Sequence, residues 1–532
     1  MDIISYKDLK NIVHTGDTIS IAALSVGNLP AEILKNIVDE YDKTGGPDNL
    51  TFIIANDISD YEDGIDLDAF VKRSMVRRLV TSLLTASPAT IDAIKNNAIE
   101  TYFFPQGILA VQYRNQSFSS PGMITKIGLN TSVDPRESGG KANDVTTGNL
   151  VSVLEIKGEE YLHYDFPGVD TALLRGTYAD EKGNIFMTHE SHLGEGYSVA
   201  AAAHKNGGKV IVQVKEIIQS GSFPPQDVFI PGELVDYVVI NENPEYHKQV
   251  MQAYYDPALS GHYRVSDIQK PPMKLSSRKI ILRRAAQFLS EGDVVSIGFG
   301  INNELPNVLI EEQAEDLVQL NIDTGIFGGI IGSKDRFGMN YNLDARMRHE
   351  LTWDFIYHGG HDIAYLSFAE VDRFGNVNVS CFGNKMSGSG GFIDISQTVK
   401  TIIFSGTLVA GSQSSCENNQ LIIEQEGHSN KFVKNVQSMD FNAAYSRELN
   451  QQVFYVTERA VFQLVEEGLK LIEISPGLDL QKDVLSKMDF APIISDELKI
   501  TDRNIYQNDW GELKQLIQRR NHINKGEDKY EL

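Results

Sequence analysis

The chain is poor in cysteine: only Cys381 and Cys416 occur among 532 residues. Two thiols cannot build a disulfide framework, and their spacing is not that of a zinc site. A reducing cytoplasm is the compartment this implies. Long apolar runs are also missing. The longest, such as TIIFSGTLVAG at 401–411, fall well short of a bilayer span, and the opening MDIISYKDLKNIV has no basic head followed by an apolar stretch. Neither membrane insertion nor export is expected. No Lys/Arg-rich run is present either, and the formal net charge is −24, which repels phosphate backbones and argues against nucleic acid as a partner. A small phosphorylated ligand stays open, because helix-start amides and a few local cations suffice to hold one. What is present is ordinary soluble composition, 41% hydrophobic and 23% charged, over a length that exceeds what one core organises.

An internal repeat supplies the organisation. GDTISIAALSVGNLP at 16–30 and GDVVSIGFGINNELP at 292–306 place Gly-Asp and Leu-Pro at equal separation. In each, a β-rich run enters a Gly/Asn turn and a helical pattern begins near the proline. A second echo pairs YADEKGNIFM (178–187) with EVDRFGNVNV (370–379), each an acidic turn, Gly-Asn, then a strand. Strand-length apolar runs alternate with helical patterns, which predicts an α/β fold with two related halves and largely parallel sheets. The halves fall at 1–240 and 278–515, joined by a polar, proline-bearing linker at 241–277 and followed by a frayed tail at 516–532.

Ligands collect at the carboxyl ends of parallel strands, which selects two loops. GFGINN (298–303) follows one strand and precedes a helix, a seat for a phosphate or pantetheine; structural glycines explain it equally well. In VQLNIDTGIFGGIIG (318–332) a strand ends at Asp323 and glycines follow; taken alone, DTG reads as an Asp-initiated turn. Further on, KMSGSGGFIDIS (385–396) sets Gly388, Gly390 and Gly391 before Phe392, where glycines can aim backbone N–H groups at a developing oxyanion; a mobile turn explains them equally well. His358, His361 and Asp362 in YHGGHD raise a metal reading, but Gly-Gly between the histidines implies a turn and no third ligand motif follows, so no metal is expected.

Taken in order, FPQG, GFG, DTGIFGG, YHGGHD, SFAEVDRFGN, GSGGFIDIS, TERAVF and SPGLDLQKDVLSKMDF resemble the family I coenzyme A transferases, of the fused type that carries alpha-like and beta-like subunits in one chain. The resemblance runs from the first repeat to about residue 500. It implies the NagB/RpiA/CoA-transferase-like fold in both halves, a cleft between them, and ping-pong transfer of CoA between a short-chain acyl-CoA and acetate or a related carboxylate. The intermediates it implies are an acyl-enzyme anhydride and an enzyme-CoA thioester, with no cofactor besides CoA as substrate and transient adduct. Residue by residue, it places the nucleophile at Asp323, oxyanion donors at Gln106, Gly390 and Gly391, and CoA along Gly298, Gly300, Asn302, Asn303, Gly328, Gly329 and Gly388. A cytoplasmic homo-oligomer, tetramer or dimer, is implied as well. The chain departs from the family pattern where Asp323 stands for Glu, Ile326 for a frequent Pro, and INNELP for a more typical loop. A carboxylate one methylene shorter is withdrawn by about an ångström, which bears on rate. Hydrolysis of acyl-CoA with Asp323 as general base, and CoA binding without turnover, are the competing readings.

Overall fold

The computed structural model describes residues 1–59, 65–266, 271–332, 338–383 and 385–524. Its first half is organised by an eight-stranded sheet, all parallel, in the order Asp2–Ile4, Tyr237–Ile240, Lys209–Val214, Thr171–Arg175, Thr18–Ile21, Leu50–Ile54, Val76–Thr81, Glu100–Phe103. Thr18–Ile21 and Leu50–Ile54 are buried at every position, as expected of central parallel strands covered on both faces. The second half carries a ten-stranded sheet. Its core is Gln319–Ile322, Val294–Ile297, Ile363–Ser367, Thr401–Ser405 and Gln452–Val456, all parallel neighbours.

The two repeats occupy equivalent places. Thr18–Ile21 sits between Leu50–Ile54 and Thr171–Arg175, and Val294–Ile297 sits between Gln319–Ile322 and Ile363–Ser367. The second echo is also structural. Asp180 accepts from the backbone N–H groups of Lys182 and Asn184 and from the Asn184 amide, and Asp372 accepts from Phe374, Asn376 and the Asn376 amide in the same pattern. The intervening Gly183 and Gly375 have φ of 86° and 92°, a conformation that glycine enters without a Cβ penalty.

The halves are not loosely tethered. A single apolar cluster runs from Tyr102, Phe104 and Ile108 to Trp353, Phe392 and Phe404. Helix Gln106–Ser117 lies against helix His349–Tyr357, and a Cβ at Gly107 would meet Trp353 at 2.6 Å; the missing side chain lets the two helices approach. The segment between the halves, expected as a polar linker, is partly core: His247, Val250 and Leu259 are buried, and its residues 267–270 lie outside the described ones. The expected tail also begins later than residue 516. Helix Leu513–Asn524 buries Leu513 and Ile517 in the second half's core, because its apolar positions recur at helical spacing; NKGEDKYEL lies beyond the described residues after its first asparagine. Among the described residues no helix is long and apolar enough to cross a membrane.

Candidate active site

Asp323 stands one residue beyond the strand Gln319–Ile322, at the carboxyl end where an α/β sheet presents its ligands. It is half-buried. Burial raises its pKa, opposed by the nearby His349 ring and by the backbone N–H of Thr324. No salt bridge or side-chain donor holds it among the described residues. A partly desolvated carboxylate without a cationic clamp keeps its electron pairs available for attack.

Gly391 closes one side. A Cβ there would lie 2.8 Å from Asp323 Oδ2 and 2.7 Å from Trp353, so only glycine fits at its φ of −83°. The preceding residues are pinned to the first half by backbone. Leu84 N–H donates to Ser387 O (2.7 Å), Gly390 N–H to Ser82 O (3.0 Å) and Gln106 N–H to Gly390 O (3.0 Å), while Gly388 forms an isolated bridge with Leu83. The Gly390 N–H is therefore occupied, which corrects its expected role as an oxyanion donor. Gly391 N–H has no carbonyl partner among the described residues.

Gln106 comes from the other half, at the start of helix Gln106–Ser117. Its Nε2 lies 3.1 Å from His349 Nε2. Trp353 Nε1–H donates to the same nitrogen at 2.9 Å, and His349 Nδ1 lies 2.8 Å from Glu195 Oε2. Beside this network Asp394 accepts from Tyr357 OH (2.7 Å) and Gly107 N–H (3.2 Å). Burial pushes Asp394 up to about 7, the two donors pull against it, and the charge of Asp323 raises it further.

Two relatives match over nearly the whole chain. The caffeate CoA-transferase of Acetobacterium woodii is 37% identical over 519 residues, covering 97% of this chain and 99% of that protein. The acetate CoA-transferase YdiF of Escherichia coli K12 is 37% identical over 506 residues, 95% of each. The chain belongs to the coenzyme A transferase family. The Coenzyme A transferase family model matches residues 6–241. A crystal structure of the E. coli O157:H7 acyl-CoA transferase YdiF, described as a thioester complex with CoA, superposes with a TM-score of 0.89 at 35% identity, covering 96% of this chain and 97% of that one. The fold is the two-sheet α/β fold of those enzymes, and the chain is an enzyme of the CoA-transferase type.

In this transferase the remaining expected positions fall into two groups. Gly298 and Gly300 lie against strand Ile363–Ser367, where Gly298 N–H donates to Tyr365 O (2.9 Å) and a Cβ at Gly300 would meet Ser367 Oγ at 2.5 Å. Asn302 is fully buried, and neither its Oδ1 nor its Nδ2 has a partner among the described residues; Asn303 Oδ1 also has none. Gly328 and Gly329, with φ of 70° and 75°, are instead crowded by the chain itself, Gly328 by Asp344 and Gly329 by Tyr341 O. His361 is tied to Asn321 Oδ1 at 2.6 Å, and His358 Nδ1 lies 2.7 Å from Asp354 O.

Sequence reasoning missed His349, Trp353, Glu195 and Asp394. One signal was legible: HELTW spaces His349 and Trp353 by four on one helix face. Glu195 carries none, because its meeting with His349 spans the two halves.

Proposed function

We propose that this transferase moves CoA between a short-chain acyl-CoA and acetate or a related small carboxylate through covalent intermediates on Asp323. The observation that carries this reading is the unclamped, half-buried Asp323 carboxylate facing Gly391. Asp323 attacks the thioester carbon and the C–S bond breaks, leaving an acyl-aspartyl anhydride and CoA thiolate. The thiolate then attacks the aspartyl carbonyl, releasing the acyl group as a free carboxylate and leaving an Asp323-CoA thioester. An acceptor carboxylate runs the two steps in reverse. Gly391 N–H and the Gln106 amide donate to the oxyanions, and the GFGINN loop, with the unpartnered Asn302, seats CoA. CoA is substrate and transient adduct, so the scheme calls for no further cofactor; with two free thiols we place the enzyme in a reducing cytoplasm, as a homo-oligomer.

Two relatives of equal identity name different acceptors, acetate and caffeate, so the test offers both. The protein is incubated with acetyl-CoA or propionyl-CoA, quenched and digested, and peptide masses are read. A CoA-sized adduct on the peptide containing Asp323, discharged by acetate or by caffeate, is the expected result. Thioester exchange with an unmodified Asp323 peptide would remove the nucleophile assignment. Thiol release without any acceptor would replace transfer by hydrolysis.

A further inference from the structure

We propose that Glu195, His349 and Trp353 form a positioning relay that fixes the orientation of the Gln106 carboxamide at the active site. The argument starts from the indole. Trp353 Nε1–H can only donate, and it lies 2.9 Å from His349 Nε2. That nitrogen must therefore present a lone pair. The ring proton then sits on Nδ1, where Glu195 Oε2 accepts it at 2.8 Å. With Nε2 an acceptor, Gln106 can approach it at 3.1 Å only with its NH2 group. One amide proton is used there, the other is held in a set direction, and Oε1 is turned toward Gly390, 3.7 Å from the Cβ position of that glycine. All four side chains are at least nine-tenths buried, so water does not substitute for any of these partners.

Protonating His349 would break this order. Nε2 would become a donor facing the indole N–H, and Gln106 would have to turn its carbonyl toward the ring, withdrawing its amide from the site. Glu195 faces the ring from the first half, Asp323 from the end of its strand, and Glu350 from the same helix; His192 is the other titratable ring whose charge reaches it. Burial disfavours the imidazolium, but Glu195 first, then Asp323 and Glu350, reverse the sign, and the ring ends with a raised pKa. The carboxylates thus favour the proton that the indole opposes. Glu195 comes from the segment before helix Gly196–Lys205 and His349 opens helix His349–Tyr357, with His349 N–H donating to Gly194 O at 3.1 Å. The relay therefore exists only while the halves are docked.

The role given to Gln106 rests on the transferase reading, so the test has one readout that needs no turnover. Protein labelled with 13C at histidine Cε1 is titrated by NMR, and the pH profile of kcat is measured alongside. Glu195→Gln removes the carboxylate that favours the imidazolium, and the ring midpoint should fall by about one unit; Trp353→Phe removes the opposing donor, and it should rise by a similar amount. The acid limb of kcat should follow with the same signs, while KM for acyl-CoA changes less than about threefold. Unmoved midpoints, or midpoints moving in one direction together, overturn the relay, as does a kcat limb that ignores the ring in an active enzyme. An inactive wild type whose midpoints still split would overturn transfer and support the relay. Should Trp353→Phe not fold, Glu195→Gln decides: a downward shift supports the relay and none overturns it.

Discussion

The two halves place different residues at the same point of the same scaffold. Ser20 pairs with Ile53 in the first sheet and Ser296 with Asn321 in the second, and the two serines hold the same place in the repeat. Counting on by two residues, Ala55 is the counterpart of Asp323, and the first half's nearest following carboxylate is Asp57. Asp57 is buried, and its Oδ2 accepts from Thr85 N–H at 2.8 Å, from Ser59 Oγ at 3.0 Å and from Thr85 Oγ. Burial raises the pKa of both carboxylates. The difference lies in the donors. Three tie Asp57 into a turn, and one backbone N–H serves Asp323. The duplicated fold thus ties one carboxylate into a turn and leaves the other with a single backbone donor, a division made by neighbours rather than by residue type.

The variant Asp323→Asn gives the largest contrast. Removing the proposed nucleophile should lower kcat for transfer on the order of a thousandfold or more, with thermal stability unchanged or raised, because a neutral amide loses no hydration of charge. Steady-state exchange assays and thermal melts check both halves of that statement. A variant that keeps its rate would make Asp323 a second Asp57.

Next in size is the distinction between two adjacent glycines. Gly391→Ala puts a Cβ against Asp323 and Trp353 at ordinary φ, and displacing the carboxylate should cost on the order of a hundredfold in kcat. At Gly390 the nearest atoms lie 3.7–3.9 Å from a Cβ, and the difficulty is a φ of 55°. Gly390→Ala should therefore cost about 1 kcal/mol of stability and little rate. Parallel measurements of kcat and urea midpoint separate the two; a larger kcat loss at Gly390 would reverse the assignment.

The repeat, the parallel sheets and the loop set were legible because each is local: Gly-Asp and Leu-Pro fix a strand–loop–helix unit, and Asp-x-x-Gly-Asn fixes a turn. Asp323 was legible as the carboxylate at a strand's end. The Gly390/Gly391 distinction was not, since it turns on which N–H is already bonded to Ser82 O. Nor was the buried polar network. Glu195 and His349 are 154 residues apart, and Gln106 reaches His349 across 243, so their contact depends on how the halves dock. The apparent linker misled for a related reason: prolines and polar residues marked a boundary, while His247, Val250 and Leu259 are buried there.

Asp394 supplies a pH test. Its carboxyl is raised from 3.8 to about 7, so between those values the folded chain binds more protons than the unfolded one, and its contribution to stability falls as pH rises. Below about 4 both states are protonated and nothing is lost; above about 7 the loss is complete. A shift of this size corresponds to at most about 4 kcal/mol. Asp394→Asn keeps an acceptor for Gly107 N–H and removes the titration, so urea midpoints at pH 5 and 8 should lie closer together than in wild type. An unchanged pH slope would mean that Asp394 is already ionised in the folded enzyme.

A last variant, without an expected effect on rate, returns to Asp57. In Asp57→Ala the Thr85 N–H, the Thr85 hydroxyl and the Ser59 hydroxyl lose a shared acceptor in a buried turn. Leaving such donors unpaired costs about 1–2 kcal/mol, partly offset because a desolvated carboxylate also disappears. Transfer should proceed at the wild-type rate per folded molecule, since Asp57 touches none of Asp323, Gly391 or Gln106 through its side-chain bonds. The measurement is a urea midpoint together with kcat at a temperature where the variant is folded. Combining Asp57→Ala with Asp323→Asn sharpens the result: the stability loss should be that of the first change and the rate loss that of the second, because the two carboxylates share no partner. If the double variant departs from that sum in stability by more than about 0.5 kcal/mol, the sites communicate through the docked halves. The division between a structural and a chemical carboxylate would then be a property of the whole molecule rather than of each turn.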